Sequence, residues 1–328
     1  MLSGLYVAAD PFAILVFALL LDAVVGDPPV LWERVPHPVR LFGWLIEWLE
    51  DTFSDATLPE RVQRMNGWFA AILLLAISAC VGAVLTLLLA FTGLEIFLEA
   101  VLVAVLLAGR DLYDHVARVA TALAEDGIRA GRDEVASIVG RDVDRLDEAG
   151  VSGAAIESMA EGFCDGVVAP ALWYGFFGLP GLLAYKALNT ADSMIGHMSE
   201  PYRDFGRAAA KLDDWANFVP ARLAGLLFVG AARVLPGANP RAAYATMRRD
   251  APRHRSPNAG WTEAAVAGAL GISIAGPRRY GGELRDDAWM GEGRRELTHG
   301  DIRQALRLYL HACGLFALLM FVFAVLNR

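Results

Sequence analysis

The stretch "GVVAPALWYGFFGLPGLLAYKALNTADSMIGH", Gly166 to His197, decides how the chain folds. Its first part, Gly166 to Ala184, is apolar enough for a lipid bilayer, yet Pro170 and the Gly-Leu-Pro-Gly run at 178–181 interrupt it. Proline lacks a backbone donor, and in lipid every freed backbone group must be buried in protein or line a cavity. The segment is therefore read as a broken or re-entrant helix. Its exit is densely polar, with Lys186, Asn189, Thr190, Asp192 and Ser193 in quick succession. If helical, Asn189, Asp192, Ser193 and Gly196 share one face, with Lys186 one turn earlier. Ionisable groups at a membrane edge are functional candidates by default.

The composition agrees with a bilayer setting. Of 328 residues, 55% are hydrophobic, and the mean hydropathy is +0.40. That is too apolar for an ordinary soluble enzyme and points to an integral membrane protein. Charged residues still make up 20%, so sizeable parts sit in water, and the net charge of -8 argues against a nucleic-acid partner. Only Lys186 and Lys211 are lysines; the other 27 of the 29 basic residues are arginine. Cys80, Cys164 and Cys313 have no spacing that suggests a disulfide framework or a zinc site.

Apolar runs near 10–26, 68–93, 94–110, 166–188, 219–235 and 308–326 give an all-α, polytopic membrane protein with five or six membrane segments. Together they form one membrane-embedded domain over 1–328. The brief turn around Phe-Thr-Gly-Leu-Glu makes 68–110 a transmembrane hairpin. Arg34 and Arg40 follow the first run, so counting positive charges puts the N-terminus outside. The Arg-rich region Pro236 to Arg307 stays in the cytoplasm by the same rule. Leu112, Val116, Val119 and Leu123 recur at helical spacing and predict an amphipathic cytoplasmic helix. Strict alternation places 189–218 outside; a re-entrant fourth segment keeps it inside.

Three clusters carry chemistry. In "IESMAEGFCDG", Glu157, Glu161 and Asp165 fall on one helical face at i, i+4 and i+8. Like charges so spaced cost a helix roughly 0.2–0.5 kcal/mol per pair. A solvated acidic face explains them, and so does a magnesium site shared with substrate phosphates. The polar exit of the broken segment offers a lysine, an amide, a carboxylate and a hydroxyl. "YRDFGRAAAKLDDWANFVPAR" adds Arg207, Lys211, Asp213, Asp214, Asn217 and Arg222, either as an exposed helix laced with ion pairs or as a phosphate and metal shell. Asp27 and His37 lie in a Pro-rich loop, and Ser256 and Asn258 in a basic loop that reads as an anion site. No G-x-x-x-x-G-K-[ST] loop, strand-borne G-x-G-x-x-G, H-E-x-x-H or G-x-S-x-G is present.

Taken in order, "LLDAVVGDPP", "PHPVRLFGWLI", "IVGRDVDRL", "ESMAEGFCDGVVAP", "GLPGLLAYKALNTADSMIGH", "FGRAAAKLDDWANFVPARL", "SPNAGWTEAAVAGALGI" and "YGGE" resemble the CobD/CbiB family of cobalamin biosynthesis along most of the chain. Gly162 stands where the family pattern has Asn, His197 where it has Tyr, and Ala191 where it has Leu. The resemblance implies an ATP-dependent ligase of the cell (cytoplasmic) membrane, with its active site facing the cytoplasm. It joins adenosylcobyric acid to an aminopropanol, usually as its O-phosphate, and works beside other cobalamin-assembly enzymes.

On that reading Glu157, Glu161, Asp165 and Asp192 hold Mg²⁺, with Asp213 or Asp214 assisting. Lys186, Lys211, Arg207 and Arg222 take phosphates, while Asn189, Ser193 and Asn217 orient substrate. Asp27, His37 and Asn258 lie at the rim. Glu157, Glu161, Asp192 and Lys211 are the catalytic candidates. A membrane transporter of a phosphorylated or corrinoid substrate is the main rival, since broken helices and buried charges serve carriers too. A CDP-alcohol phosphotransferase is a weaker one: Asp165-Gly166 begins its D-G-x-x-A-R motif, but the Arg is missing.

Overall fold

In the computed structural model, residues 10–26, 32, 36–197, 201–280 and 283–327 are described. Asp10 caps α1, Pro11–Val25, by accepting from the Phe12 backbone N–H at 3.0 Å. His37 does the same for α2, Pro38–Phe53, its Nδ1 accepting from Val39 N–H at 3.2 Å. Next come α3, Glu60–Leu89, and the short α4, Glu95–Leu106. The amphipathic α5, Gly109–Glu125, is the helix expected from the Leu112–Leu123 spacing. After α6, Ile128–Ala136, an irregular stretch holds Arg141. Asp147 then caps α7, Glu148–Phe163, accepting from Gly150 N–H at 2.8 Å.

A π-helical turn, Cys164–Val168, joins α7 directly to α8, Ala169–Ile195. The interruption expected near Gly-Leu-Pro-Gly is a kink inside α8, where Gly178 adopts φ 63° just before Pro180. A positive φ costs glycine little, which is why the bend falls there. Then follow α9, Arg207–Ala216, α10, Phe218–Ala231, α11, Pro240–Asp250, and α12, Ala259–Leu270. Four short strands come next: β1, Ile274–Ala275, β2, Arg278–Tyr280, β3, Glu283–Arg285, and β4, Trp289–Met290. They form two antiparallel ribbons, β1 with β4 and β2 with β3. The last helix is α13, His299–Leu326.

Among the described residues, three helical stretches are long and apolar enough to cross a membrane: Glu60–Leu89, Glu148–Ile195 and His299–Leu326. Pro11–Val25 and Phe218–Ala231 are shorter apolar helices. The second arm of the expected hairpin is only α4, whose 12 residues rise about 18 Å, short of a hydrocarbon core about 30 Å thick. It stops at Leu106, beyond which Leu107 is extended. On α3, Phe69, Ile72, Val81, Val84 and Leu87 are exposed, an outer face that water would not favour.

The chain divides into two compact units. The first comprises Met1–Ala108, Pro170–Trp215 and Ala317–Arg328. In it Phe12 stacks on Phe323 at 5.4 Å and meets Phe176 edge-on at 6.0 Å. Arg64 Nε donates to the buried Asp204 at 2.7 Å. The second comprises Gly109–Ala169 and Ala216–Phe316. There Phe163 packs between Phe228 and Tyr309, and the Tyr309 hydroxyl donates to Gly109 O at 2.7 Å. Buried Asp250 accepts a bidentate fork from Arg249 at 2.7 and 2.8 Å and the Gly291 N–H at 2.9 Å, so its carboxyl is held below the usual range.

Gly82 of α3 lies against the backbone at Pro180, where an added Cβ would come within 2.6 Å of Pro180 N and Cα. Backbone cannot retreat as a side chain can. Gly82→Leu should therefore cost about 1–3 kcal/mol of stability by overpacking, read as a lower unfolding temperature in detergent. An unchanged transition would show that the two helices can separate at no cost.

Candidate functional site

The polar groups singled out in the sequence fall in both units. In the first, α8 carries Lys186, Asn189, Asp192 and Ser193, and α9 carries Arg207, Lys211, Asp213 and Asp214. Both segments are helical as expected, and Asn189 Nδ2 donates to Asp213 Oδ1 at 3.5 Å, bringing the two helices' polar faces together. Lys186 and Asp213 are buried, whereas Lys211 and Ser193 are exposed. Asp214 lies within electrostatic reach of Asp192, and burial raises the Asp214 carboxyl. The two half-buried carboxylates repel each other, and His197 offsets part of the Asp192 charge.

In the second unit the acidic stripe does not act as one group. Glu161 is exposed and Asp165 half-buried, while Glu157 is buried and fully engaged. Its Oε2 accepts from Arg141 Nη1 at 2.9 Å and from Arg278 Nη1 at 3.0 Å. Its Oε1 accepts from the Ala275 backbone N–H at 2.8 Å. Ala275 holds φ 63°, a left-handed backbone uncommon outside glycine, and that conformation aims its N–H at the carboxylate. Arg278 Nε also lies 3.4 Å from Asp287.

Arg222 is engaged as well. Its Nη1 donates to Phe218 O at 2.8 Å and to Asn258 Oδ1 at 2.9 Å, and its guanidinium lies over the rings of Phe218 and Trp261, 3.6 and 4.6 Å from their centroids. Asn217 Oδ1 accepts from the Cys164 thiol at 3.8 Å. In the basic loop, Ser256 Oγ accepts from the Asn258 and Ala259 N–H groups, and His254 Nδ1 accepts from Ser256 N–H. The donors expected to meet an anion there are thus engaged inside the loop. His37 meets Trp32 edge-on at 4.5 Å, and Asp27 lies outside the described residues.

Among the described residues no three His, Cys, Asp or Glu side chains come together as a metal-holding group. Magnesium commonly takes only one or two protein carboxylates and completes its shell with water and substrate phosphates. Asp192 and Asp214 fit that requirement as a pair. Glu157, with two guanidiniums and an amide on it, fits an ion-pair anchor better than an open ligand.

Four residues stand out that sequence reasoning does not assign: Arg141, Arg278, Glu263 and His254. Arg141 lies within the "IVGRDVDRL" stretch, but nothing local connects it to Glu157. Glu263 is the lone acid in "WTEAAVAGALGI", a signal that could point to it. It is buried on α12, with Oε2 3.6 Å from His254 Nε2.

Comparison with known proteins agrees with this chain-long pattern. A family model described as "CobD/Cbib protein" matches residues 15–309. The chain belongs to the CobD/CbiB family. It is 53% identical over 299 residues to the cobalamin biosynthesis protein CobD of Brucella suis biovar 1 (strain 1330), covering 90% of this chain and 91% of that one. Against the protein of that name from Rhizobium meliloti (strain 1021) it is 49% identical, covering 94% and 95%. For the one from Rhodobacter capsulatus the identity is 38%, covering 96% and 98%. No solved structure matches the chain.

Burial, then the charges of Glu157 and Glu161, push the Glu263 carboxyl well above its ordinary value of 4.5. The folded state then binds more protons than the unfolded one, so stability falls as pH rises from the ordinary value toward the raised one. His254 works in the opposite sense: burial lowers its pKa below 6.5, and its contribution is lost as pH falls below that value. Glu263→Gln should therefore gain unfolding temperature relative to wild type as pH rises from the ordinary value of 4.5 toward the raised one. A gap that stays constant across that range would show that Glu263 titrates as an ordinary carboxylate.

Proposed function

We propose that the protein is an adenosylcobinamide-phosphate synthase. It would join adenosylcobyric acid to (R)-1-amino-2-propanol O-phosphate, or to aminopropanol, by ATP-dependent amide formation. The observation that carries this reading is family membership across 15–309, with curated relatives near 50% identity that share a name in cobalamin biosynthesis. The polar faces of α8 and α9 support it, because they supply the residue types such chemistry needs.

A carboxylate near neutral pH is a poor acceptor for an amine, since its oxygen leaves badly. ATP removes the obstacle by turning the corrin propionate into an acyl phosphate. The amine nitrogen then attacks the carbonyl carbon, the phosphate departs with the former carboxylate oxygen, and the nitrogen loses a proton to a nearby base. Positioning and charge neutralisation do most of the catalysis. In this scheme Lys186, Lys211 and Arg207 bind phosphate oxygens, while Asn189 and Ser193 orient substrate. Asp192 and Asp214 hold Mg²⁺, which would neutralise phosphate charge when bound. Glu161, the exposed member of the acidic stripe, is kept as a catalytic candidate on the family resemblance alone. The reaction would take place at the cell membrane, with ATP reaching the site from the cytoplasm and other cobalamin-assembly enzymes as neighbours.

The test is reconstitution in detergent with adenosylcobyric acid, aminopropanol phosphate and Mg-ATP, followed by mass spectrometry of the corrin. The expected product carries the mass gain of one amide. Glu161→Gln and Lys211→Ala, both exposed positions, should each lower kcat by roughly 10²-fold or more in folded protein. Near-normal turnover in either variant would remove that residue from the mechanism. Accumulation of substrate in sealed vesicles without covalent product would move the family member to the transport reading.

A further inference from the structure

The second unit encloses a cavity of about 360 Å³ between the start of α7 and the ribbon segment, lined among others by Arg141, Gly153, Glu157, Arg278 and Trp289. That volume suits a small metabolite and is far too small for a macrocycle. Of the site residues expected from the sequence, Glu157 alone is among its lining residues.

The charges around it are sorted by depth. Arg141 and Arg278 have side chains only 9% and 13% exposed, and both lean on the single carboxylate oxygen of Glu157. Among the lining residues, two guanidiniums against that one carboxylate leave the inner wall positive; Asp287, 3.4 Å from Arg278 Nε, and buried Glu263 stand behind the wall, outside the lining. Arg141 Nε is buried without a hydrogen-bond partner. A buried N–H of a charged group is costly to leave unmade, so it favours an acceptor within the cavity. The exposed lining residues are mostly acidic: Asp142, Asp147 and Glu296, of which Asp147 already accepts from Gly150 N–H. Arg295, also exposed, lies 4.1 Å above the Trp289 ring. The strained Ala275 backbone fixes Glu157 from the far side, and residues held in sparsely populated conformations cluster at ligand clamps.

A positive interior behind an acidic rim is complementary to a small zwitterion that enters phosphate first. We propose that this cavity seats the phosphoryl group of a small substrate, with Arg141 and Arg278 as its clamp and the acidic rim facing an ammonium. The identity of that substrate rests on the ligase reading; the clamp itself does not. Two sources offer a phosphoryl group, the phosphorylated amine and ATP, and only the first carries the ammonium.

The experiment is titration calorimetry on the full chain in detergent, using aminopropanol phosphate, inorganic phosphate, aminopropanol and ATP as probes. Aminopropanol phosphate should bind more tightly than inorganic phosphate, and aminopropanol not measurably. Arg141→Lys keeps the charge but loses the planar fork and Nε. It should weaken the phosphate-bearing probes about tenfold or more, with an unfolding temperature close to wild type. Arg295→Gln, at an exposed position, guards against a folding artefact and should weaken them several-fold. Weakening confined to ATP would assign the clamp to the nucleotide and remove the ammonium from the proposal. Unchanged affinities for every probe in both variants would overturn it. Wild-type protein that forms the amide while Arg141→Lys keeps its KM for amine phosphate and for ATP sinks the cavity proposal alone. Phosphate binding through Arg141 without any amide product sinks the ligase reading alone.

Discussion

A buried carboxylate must find cations or give up its charge, and Glu157 finds two. Taking such a group out of water carries a penalty of several kcal/mol unless partners offset it. Its contacts therefore constrain everything that supplies them. Arg141 draws the irregular stretch after α6 onto α7, and Arg278 brings β2. Ala275 adopts a left-handed backbone so that its N–H reaches the same group. Two separate stretches, the one holding Arg141 and the one holding Ala275 and Arg278, are pinned on one side chain, and between them a cavity is left that packing does not close. Ser158, one residue on, adds a bond to Ile138 O at 2.9 Å and fastens the same stretch from the neighbouring position.

The first unit is organised by a different constraint, the exit of an apolar helix into water. In α8 the chain breaks at Gly178, where φ is 63°, and the helix that resumes after it carries Lys186 to Ser193 on its final turns. Thr190 and Ser193 return their hydroxyls to the carbonyls one turn back, at 2.7 and 3.0 Å. That satisfies local polar groups where solvation is poor and leaves the Asn189 amide for Asp213 of α9. Buried Lys186 and half-buried Asp192 lie on the same final turns of α8.

The sequence made the long elements legible because hydropathy and helical period are local signals. The helix that covers 68–89 of the 68–93 run, the helix containing 308–326 and the amphipathic Leu112–Leu123 face all follow from them. The second hairpin arm is shorter than its apolar run suggests, because such a run does not announce where its helix ends, and Leu107 is apolar yet extended. Spacing alone could not show that Glu157 meets Arg141 and Arg278, 16 and 121 residues away, or that Asp165 falls in a π-helical turn. The short ribbons carry too few residues for a period-two pattern. Residues that act through long-range pairing are invisible to any rule that looks one turn ahead.

The scarcity of lysine acquires a structural sense in this light. Lys186 and Lys211 both belong to the first unit, and the second has none. There the cations at buried acceptors are guanidiniums, and each makes use of its fork. Arg249 meets both oxygens of Asp250 at once. Arg222 serves a carbonyl and an amide while lying on two aromatic faces. Arg141 and Arg278 share one carboxylate oxygen and still keep nitrogens that line the cavity. An ammonium is a compact, strongly hydrated point charge and could replace none of these without losing an acceptor or a ring contact. The two lysines instead sit on the polar faces of α8 and α9, Lys186 buried and Lys211 exposed.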